Sequence, residues 1–242
     1  MIHRAAAEGF SRSAEAYERG RPEYPAAAVA CLVSRLPAGV RVLDLAAGTG
    51  KLTRPLLAAG LSVLAVEPVA EMRAALPAAA TPMPGTAEAI PVDDAAVDAV
   101  TVGQAFHWFD GDAALAEIHR VLRPDGLLAL LWNRRVENDP VNRAFDELVD
   151  PYRAATPTHR WNSWRAAFER TSLFSPLEEH EFDGEQRLDA DGMEARVGSI
   201  SFIAALDDPE RERVLERARA LAGDGTVTLA YRSEVQICRR LS

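Results

Sequence analysis

A chain of 242 residues with 36 acidic against 27 basic side chains has a net charge of −9 and a pI near 5.1, which excludes binding to nucleic acid through a broad basic face. Hydrophobic residues make up 48%, enough to bury the core of one large α/β domain with room for an inserted cap. No apolar run is long enough to span a membrane and Met1-Ile2-His3-Arg4 opens no apolar signal core, so a cytoplasmic protein with no membrane partner is expected.

Residues 5–39 read as helical, interrupted over 17–25, where Pro22 and Pro25 forbid a continuous helix. From 40 to 133, strands near 40–45, 62–66, 82–86, 97–102 and 127–132 alternate with helical stretches. Such alternation builds a parallel sheet with right-handed crossovers. Pro82 and Pro84 cannot serve a central ladder, so the third strand belongs at an edge. Residues 134–176 carry aromatic bulk without strand alternation, and the helical spacing of Trp161, Trp164 and Phe168 marks a core stripe more than a substrate cage. Residues 177–188 and 226–238 read as two late strands. Between them Asp208-Pro209 opens a helix with Val214, Leu215, Ala218 and Leu221 on one stripe. Cys31 and Cys238 lie far apart and the five histidines show no ligand spacing, so neither a disulfide framework nor a metal site is expected.

The chemistry concentrates in residues 42–50, Val-Leu-Asp-Leu-Ala-Ala-Gly-Thr-Gly, an apolar strand running into a turn of small residues, and in a second strand that ends on Glu67. Gly48 and Gly50 lack a Cβ, which permits strained dihedrals and a close approach of ligand to backbone. The helix from about Lys51 aims its free N-terminal amides at the turn. A phosphate-binding loop fails here, because Leu45 and Leu52 occupy two of its diagnostic positions although Gly50-Lys51 is present. A dinucleotide site fails as well: Thr53 stands where the third glycine belongs, and Asp44 repels a pyrophosphate. An acid at Glu67 suits a ribose diol, and one at Asp44 suits a ligand with cationic groups.

Four segments then follow a known order: Asp44-Leu45-Ala46-Ala47-Gly48-Thr49-Gly50, Gly85-Thr86-Ala87-Glu88-Ala89-Ile90-Pro91, residues 97–108 ending in Phe106-His107-Trp108, and residues 117–126 ending in Arg123-Pro124-Asp125-Gly126. Together they resemble the class I S-adenosylmethionine-dependent methyltransferases, in the group that includes the ubiquinone and menaquinone C-methyltransferases. Ala46 stands where that family usually has its first glycine. The resemblance covers about half the chain. It implies one α/β domain with a Rossmann-like seven-stranded, mostly parallel sheet closed by a C-terminal antiparallel hairpin. A helical N-terminal lid would span 1–39, a cofactor-binding core 40–133, a cap or substrate region 134–225 and the final strand 226–242. It also implies methyl transfer from S-adenosylmethionine, leaving S-adenosylhomocysteine, to a small-molecule acceptor, by a monomer or homodimer and without metal. Two alternatives stay open: an enzyme of this fold that uses the sulfonium for cyclisation or rearrangement, and a cofactor-binding accessory subunit without turnover.

Carried over residue by residue, the resemblance assigns Glu67 to the ribose with Pro68 beside it, and Ala46, Gly48 and Gly50 to the turn against the cofactor. Asp44 faces the methionine amino group, directly or through water, or else caps the turn. Ala87, through its backbone amide, and Glu88 border adenine, and Gln104 lies in the loop after the fourth strand. Tyr17 and Arg21 belong to a Tyr-x-x-x-Arg-Pro-x-Tyr-Pro segment that packs over the cofactor in part of the family. The Arg21 fork suits a carboxylate such as that of methionine. An acceptor would sit outside the carboxyl ends of the strands, where Phe106, Trp108, Tyr24, Trp132 and Asn133 are candidates, Trp132 being readable as core instead. Methyl transfer from a sulfonium needs alignment and water exclusion more than a base. His107, with an ordinary pKa of about 6.5, is therefore either a general base or a brace for the pocket.

Overall fold

Runs of apolar residues in extended stretches, each followed by a helix-period stretch, form the frame of the protein. The computed structural model describes residues 14–37, 39–153, 156 and 163–242. Strands β1 (Arg41–Leu45), β2 (Ser62–Val66), β3 (Thr81–Met83), β4 (Val97–Gly103) and β5 (Leu122–Arg135) pair in parallel, and β6 (Glu178–Leu188) and β7 (Val227–Arg239) follow late in the chain. The seven strands lie in the order β3-β2-β1-β4-β5-β7-β6, with β7 antiparallel to both of its neighbours. This is the Rossmann-like sheet with an antiparallel C-terminal pair that the sequence implies. The short β3 with Pro82 stands at the edge, where a missing N–H costs no ladder bond.

Helices α1 (Ala14–Gly20), α2 (Ala26–Val33), α3 (Thr53–Ala58), α4 (Ala70–Ala74) and α5 (Gly111–Val121) belong to the first half of the chain. The second half adds α6 (Pro140–Val149), α7 (Arg165–Arg170), α8 (Ala190–Gly198), α9 (Ser201–Ala204) and α10 (Asp208–Ala222). Four of them start on an aspartate. Asp110, Asp139, Asp189 and Asp207 accept from the amides of Ala113, Asn142, Gly192 and Glu210, satisfying donors that a helix start leaves open. The cap of α10 is thus Asp207, and Pro209 sits in its first turn, where its missing N–H is harmless.

One face of the sheet packs Leu43, Val100, Leu130 and Trp132 against Ile118 and Phe106; the other packs Val42, Ala99 and Leu131 against Leu32 and Leu56. Trp164 is buried and Phe168 packs on the first of these faces, 5.2 Å between the rings of Phe168 and Phe106, so this pair is core. Trp161 lies outside the described residues, as do the helical expectations for residues 5–13. A third cluster needs no part of the central parallel strands: Phe145, Met193, Val197, Ile203 and Val214 pack around Leu229 and Tyr231 of β7. Residues of α6, α8, α9 and α10 therefore share a core beside the sheet, over the ends of β5 and β7.

Two differences from the sequence expectation have physical causes. β5 extends from Leu122 to Arg135, beyond the expected 127–132: its start pairs with β4 through Val97↔Leu122, and its end is carried on by antiparallel pairing with β7 from Leu127↔Arg239 to Arg135↔Tyr231. The late pair is not a tight turn: the helices of residues 190–222 intervene between β6 and β7. The helix α1 rests directly on α8. A Cβ placed on Gly20 would lie 2.2 Å from the Ala195 carbonyl oxygen, so only glycine fits at that crossing. Gln186 Nε2 donates to the Gly20 carbonyl at 3.0 Å and ties the same point to β6.

Candidate active site

Four strand ends converge on one cavity. It is bordered by Ala46 and Gly48 after β1, Glu67 and Pro68 after β2, Ala87 and Glu88 beyond β3, and Gln104 after β4. In open α/β sheets this is where ligands bind. Gly48 takes a φ of 59°, and a Cβ there would be 3.9 Å from the Tyr17 ring, so Tyr17 lies over the turn. Ala46 also has a positive φ, 56°. A side chain in this left-handed region costs about 1–2 kcal/mol relative to a right-handed conformation, which is the local consequence of an alanine where glycine is usual. Gln104 is held at φ 58°, a second strained residue on the cavity wall.

Glu67 is buried, with 4% exposure, and both its oxygens accept from backbone: Oε2 from Gly48 N–H and Oε1 from Val69 N–H, each at 2.8 Å. Burial raises its pKa, while the two amide donors and Arg73 pull the other way. The carboxylate is thereby locked between the turns after β1 and β2, with lone pairs left for hydroxyl donors. Lid and turn are joined by charge. Glu18 accepts from Thr49 Oγ1 at 2.6 Å and from Arg54 at 2.5 Å, and Lys51 pairs with Glu23 at 2.5 Å.

Other expected residues fall elsewhere. Asp44 lies beneath the turn, where Oδ2 accepts from Thr53 Oγ1 at 2.6 Å and Oδ1 from Thr101 Oγ1 at 3.1 Å. It ties β1 to β4 and to α3 and is not part of the cavity wall. Burial pushes its pKa up to about 6 against the two hydroxyl bonds. Gly50, at φ 93°, packs against Pro77, which a Cβ would meet at 2.9 Å; it shapes the turn from behind. Glu88 lines the cavity and also accepts from the Asp110 amide at 3.1 Å.

A second cavity adjoins the first, and Tyr17, Gln104 and Trp108 line both. The second is walled by the N-terminal segment (Arg21, Tyr24), by His107 and Asn133, and by residues from the helices of 140–204, among them Arg196 and Phe202. Tyr24 reaches over the end of β4, where a Cβ on Gly103 would lie 2.6 Å from its hydroxyl. Asn133 Nδ2 donates to the Glu23 carbonyl at 3.2 Å. Arg21 borders this second cavity rather than the first, donating to the Ser199 carbonyl at 2.9 Å and stacking on Tyr17 at 5.2 Å.

Phe106, a candidate at the acceptor, is corrected to core, and Trp132, readable as acceptor contact or core, is core as well. Each is 1% exposed and neither lines either of these two cavities. Phe106 faces inward because the one-turn 3-10 helix of Phe106–Trp108 turns successive side chains to different sides, sending His107 and Trp108 to the cavity. Trp132 backs His107 at 5.6 Å between rings. Enclosure by protein, and secondarily the positive charge of Arg21, push the His107 pKa down to about 3. The imidazole is thus neutral at physiological pH and a poor proton acceptor. Sequence reasoning missed Met72 and Val69 on the first cavity and Arg135, Arg153 and Arg196 on the second. Nothing in the local sequence separates these arginines from the others of the chain.

Residues 43–130 match the family described as methyltransferase domain. A protein of Mycobacterium tuberculosis (strain ATCC 25618 / H37Rv) named as an uncharacterized methyltransferase is 39% identical over 250 residues, covering 96% of this chain and 94% of that protein. Among solved structures, one described as a putative type II methyltransferase from Anaeromyxobacter dehalogenans superposes with a TM-score of 0.70 at 24% identity, covering 90% and 97% of the two chains. A Haemonchus contortus phosphoethanolamine-type N-methyltransferase, solved with phosphomonomethylethanolamine and S-adenosylhomocysteine, superposes with a TM-score of 0.56 at 16% identity, covering 95% of this chain and 57% of that one.

Proposed function

We propose that this chain, which belongs to the class I S-adenosylmethionine-dependent methyltransferases, transfers a methyl group to a small-molecule acceptor held in the second cavity. The observation that carries this reading is the meeting of two cavities at the shared wall of Tyr17, Gln104 and Trp108. The first cavity suits the cofactor: the buried Glu67 carboxylate offers acceptors to a ribose diol, and the glycine backbone at 48 lets a ligand lie close under Tyr17. When bound, S-adenosylmethionine supplies a methyl group already activated by the sulfonium.

What remains for the protein is alignment. Tyr17, Gln104 and Trp108 border both sites and so set the direction in which an acceptor atom approaches. Fixing that geometry is worth on the order of 7–11 kcal/mol of the barrier. The lid and the helical region over β5 and β7 close the second cavity from two sides and exclude water. His107, neutral and backed by Trp132, braces the wall; its low pKa supports bracing over proton abstraction. Asp44 acts through the turn, holding Thr53 and Thr101 beneath it. Titration calorimetry with S-adenosylhomocysteine tests the assignment: binding at one site per chain is expected, and absence of binding by either S-adenosylhomocysteine or S-adenosylmethionine would refute it.

A further inference from the structure

The second cavity has an unusual charge inventory for a chain of net charge −9. Four arginines and Lys51 line it, and among the described residues no carboxylate does. Three of these cations are neutralised from behind: Arg135 by Asp146, Arg153 by Asp150 and Lys51 by Glu23. Among the described residues, Arg21 and Arg196 meet no carboxylate. Arg196 is 3% exposed; its Nε donates to Tyr231 Oη at 3.1 Å, its face covers the Phe145 ring at 5.1 Å, and its Nη1 has no hydrogen-bond partner. Arg21 Nε is likewise without a partner. The two lie side by side, since Gly20 touches the Ala195-Arg196 backbone. Burial, and then the charge of Arg196, lower the Arg21 pKa to about 10.

A buried guanidinium without a counter-ion costs several kcal/mol in real proteins, so Arg196, with the half-buried Arg21 beside it, favours an anionic occupant. The position is also built: Tyr231 Oη donates on to Gln186 Oε1 at 3.3 Å, and Gln186 holds the Gly20 carbonyl, fixing Arg196 against the lid. If the methionine carboxylate neutralises Arg21, a second anion is still required, and a sulfonium at the junction adds to the demand.

We propose that the methyl acceptor is an anion, a small molecule whose carboxylate or phosphate group is held by Arg196 in the second cavity. This rests on the methyltransferase reading for the word acceptor, but the anion site itself does not. A guanidinium fork matches both groups in two parallel bonds, and removing such charge-assisted bonds costs roughly ten- to a hundredfold in affinity.

The test uses the full chain, free and saturated with S-adenosylhomocysteine. Citrate, succinate, inorganic phosphate and the neutral succinamide are titrated by calorimetry against wild type, Arg196→Met and Arg196→Lys, with circular dichroism confirming the fold. An anion is expected to bind wild type, to be displaced by salt, to lose at least about tenfold in Arg196→Met and to recover partly in Arg196→Lys. Preference for carboxylates or for phosphate names which anion the site takes. The proposal is overturned if no anion binds, if succinamide binds as well as succinate, or if Arg196→Met, or a folded Arg196→Gln should Arg196→Met not fold, binds the anion with unchanged affinity. It is also overturned if Arg196→Met weakens S-adenosylhomocysteine as much as the anion, because Arg196 then serves the methionine carboxylate. Failure of S-adenosylhomocysteine to bind, with anion binding retained, instead refutes the cofactor assignment and leaves the anion site standing.

Discussion

Replacing Glu67 by alanine should separate its two tasks, shaping the turns and holding the ribose. In the folded protein the carboxylate accepts from Gly48 and Val69, each at 2.8 Å. Stripping a buried donor of its partner costs about 1–3 kcal/mol. Here Gly48 and Val69 both line the cavity, where water can take the place of the lost oxygens, and the variant is relieved of a carboxylate whose burial raises its pKa. The net loss of stability should be about 1–2 kcal/mol, which lowers Tm by roughly 2–8 °C for a chain of this size. Cofactor binding should suffer more. A hydroxyl donating to a charged acceptor is worth about 1.5–3 kcal/mol, so losing one ribose contact raises Kd about 10- to 150-fold, and losing two raises it further. Calorimetry with S-adenosylhomocysteine and thermal unfolding of the same samples measure both effects. Glu67→Gln, which keeps the shape and one acceptor, should fall between wild type and alanine. A Kd for Glu67→Ala within about threefold of wild type, on folded protein, would refute the ribose assignment.

Three further outcomes follow from the geometry. Because burial raises the folded-state pKa of Asp44 to about 6, its contribution to stability is present below its unfolded pKa and is lost as pH rises from about 4 through 6; the full change is roughly 3 kcal/mol. Asp44→Asn keeps bonds to Thr53 and Thr101 without a charge, so its urea midpoint should rise relative to wild type between pH 4.5 and 7, and a constant difference across that range would contradict the account. His107→Asn should leave turnover within about tenfold and the pH profile near 6–7 unchanged, whereas a loss of about 10²–10⁴-fold at unaltered cofactor affinity would make His107 a base. Gly20→Ala drives a methyl into the Ala195 carbonyl and should cost about 1–3 kcal/mol while weakening S-adenosylhomocysteine through the displaced Tyr17; equal Tm in variant and wild type would show that the lid does not rest on α8 as described.

The first cavity was legible because it is built from short-range pattern. The strand ending at Leu45, the small-residue turn, the strand ending before Glu67 and the loop at 104–108 are each contiguous, and parallel crossovers bring their ends together with few alternatives. Even the edge place of β3 could be read from two prolines. Side-chain direction within a motif was less legible. Phe106 and His107 are neighbours, yet the one-turn helix sends the first into the core and the second to the cavity. Asp44 belongs to the motif but spends both oxygens on hydroxyls, one of them Thr101, 57 residues away.

By itself, then, the amino-acid pattern determined the sheet and its strand ends, since period and turn chemistry are local properties, and its motifs carried the family resemblance that implies the cofactor. Only the tertiary structure decided what the second cavity is. Arg21 and Arg196 are separated by most of the chain, and they become one charged wall because Gly20 lets α1 lie on α8 and because Tyr231, from the last strand, holds Arg196 in place. Whether an arginine is a solvated surface charge or a buried cation awaiting an anion depends on which carboxylates the fold brings near it, and no local pattern carries that information.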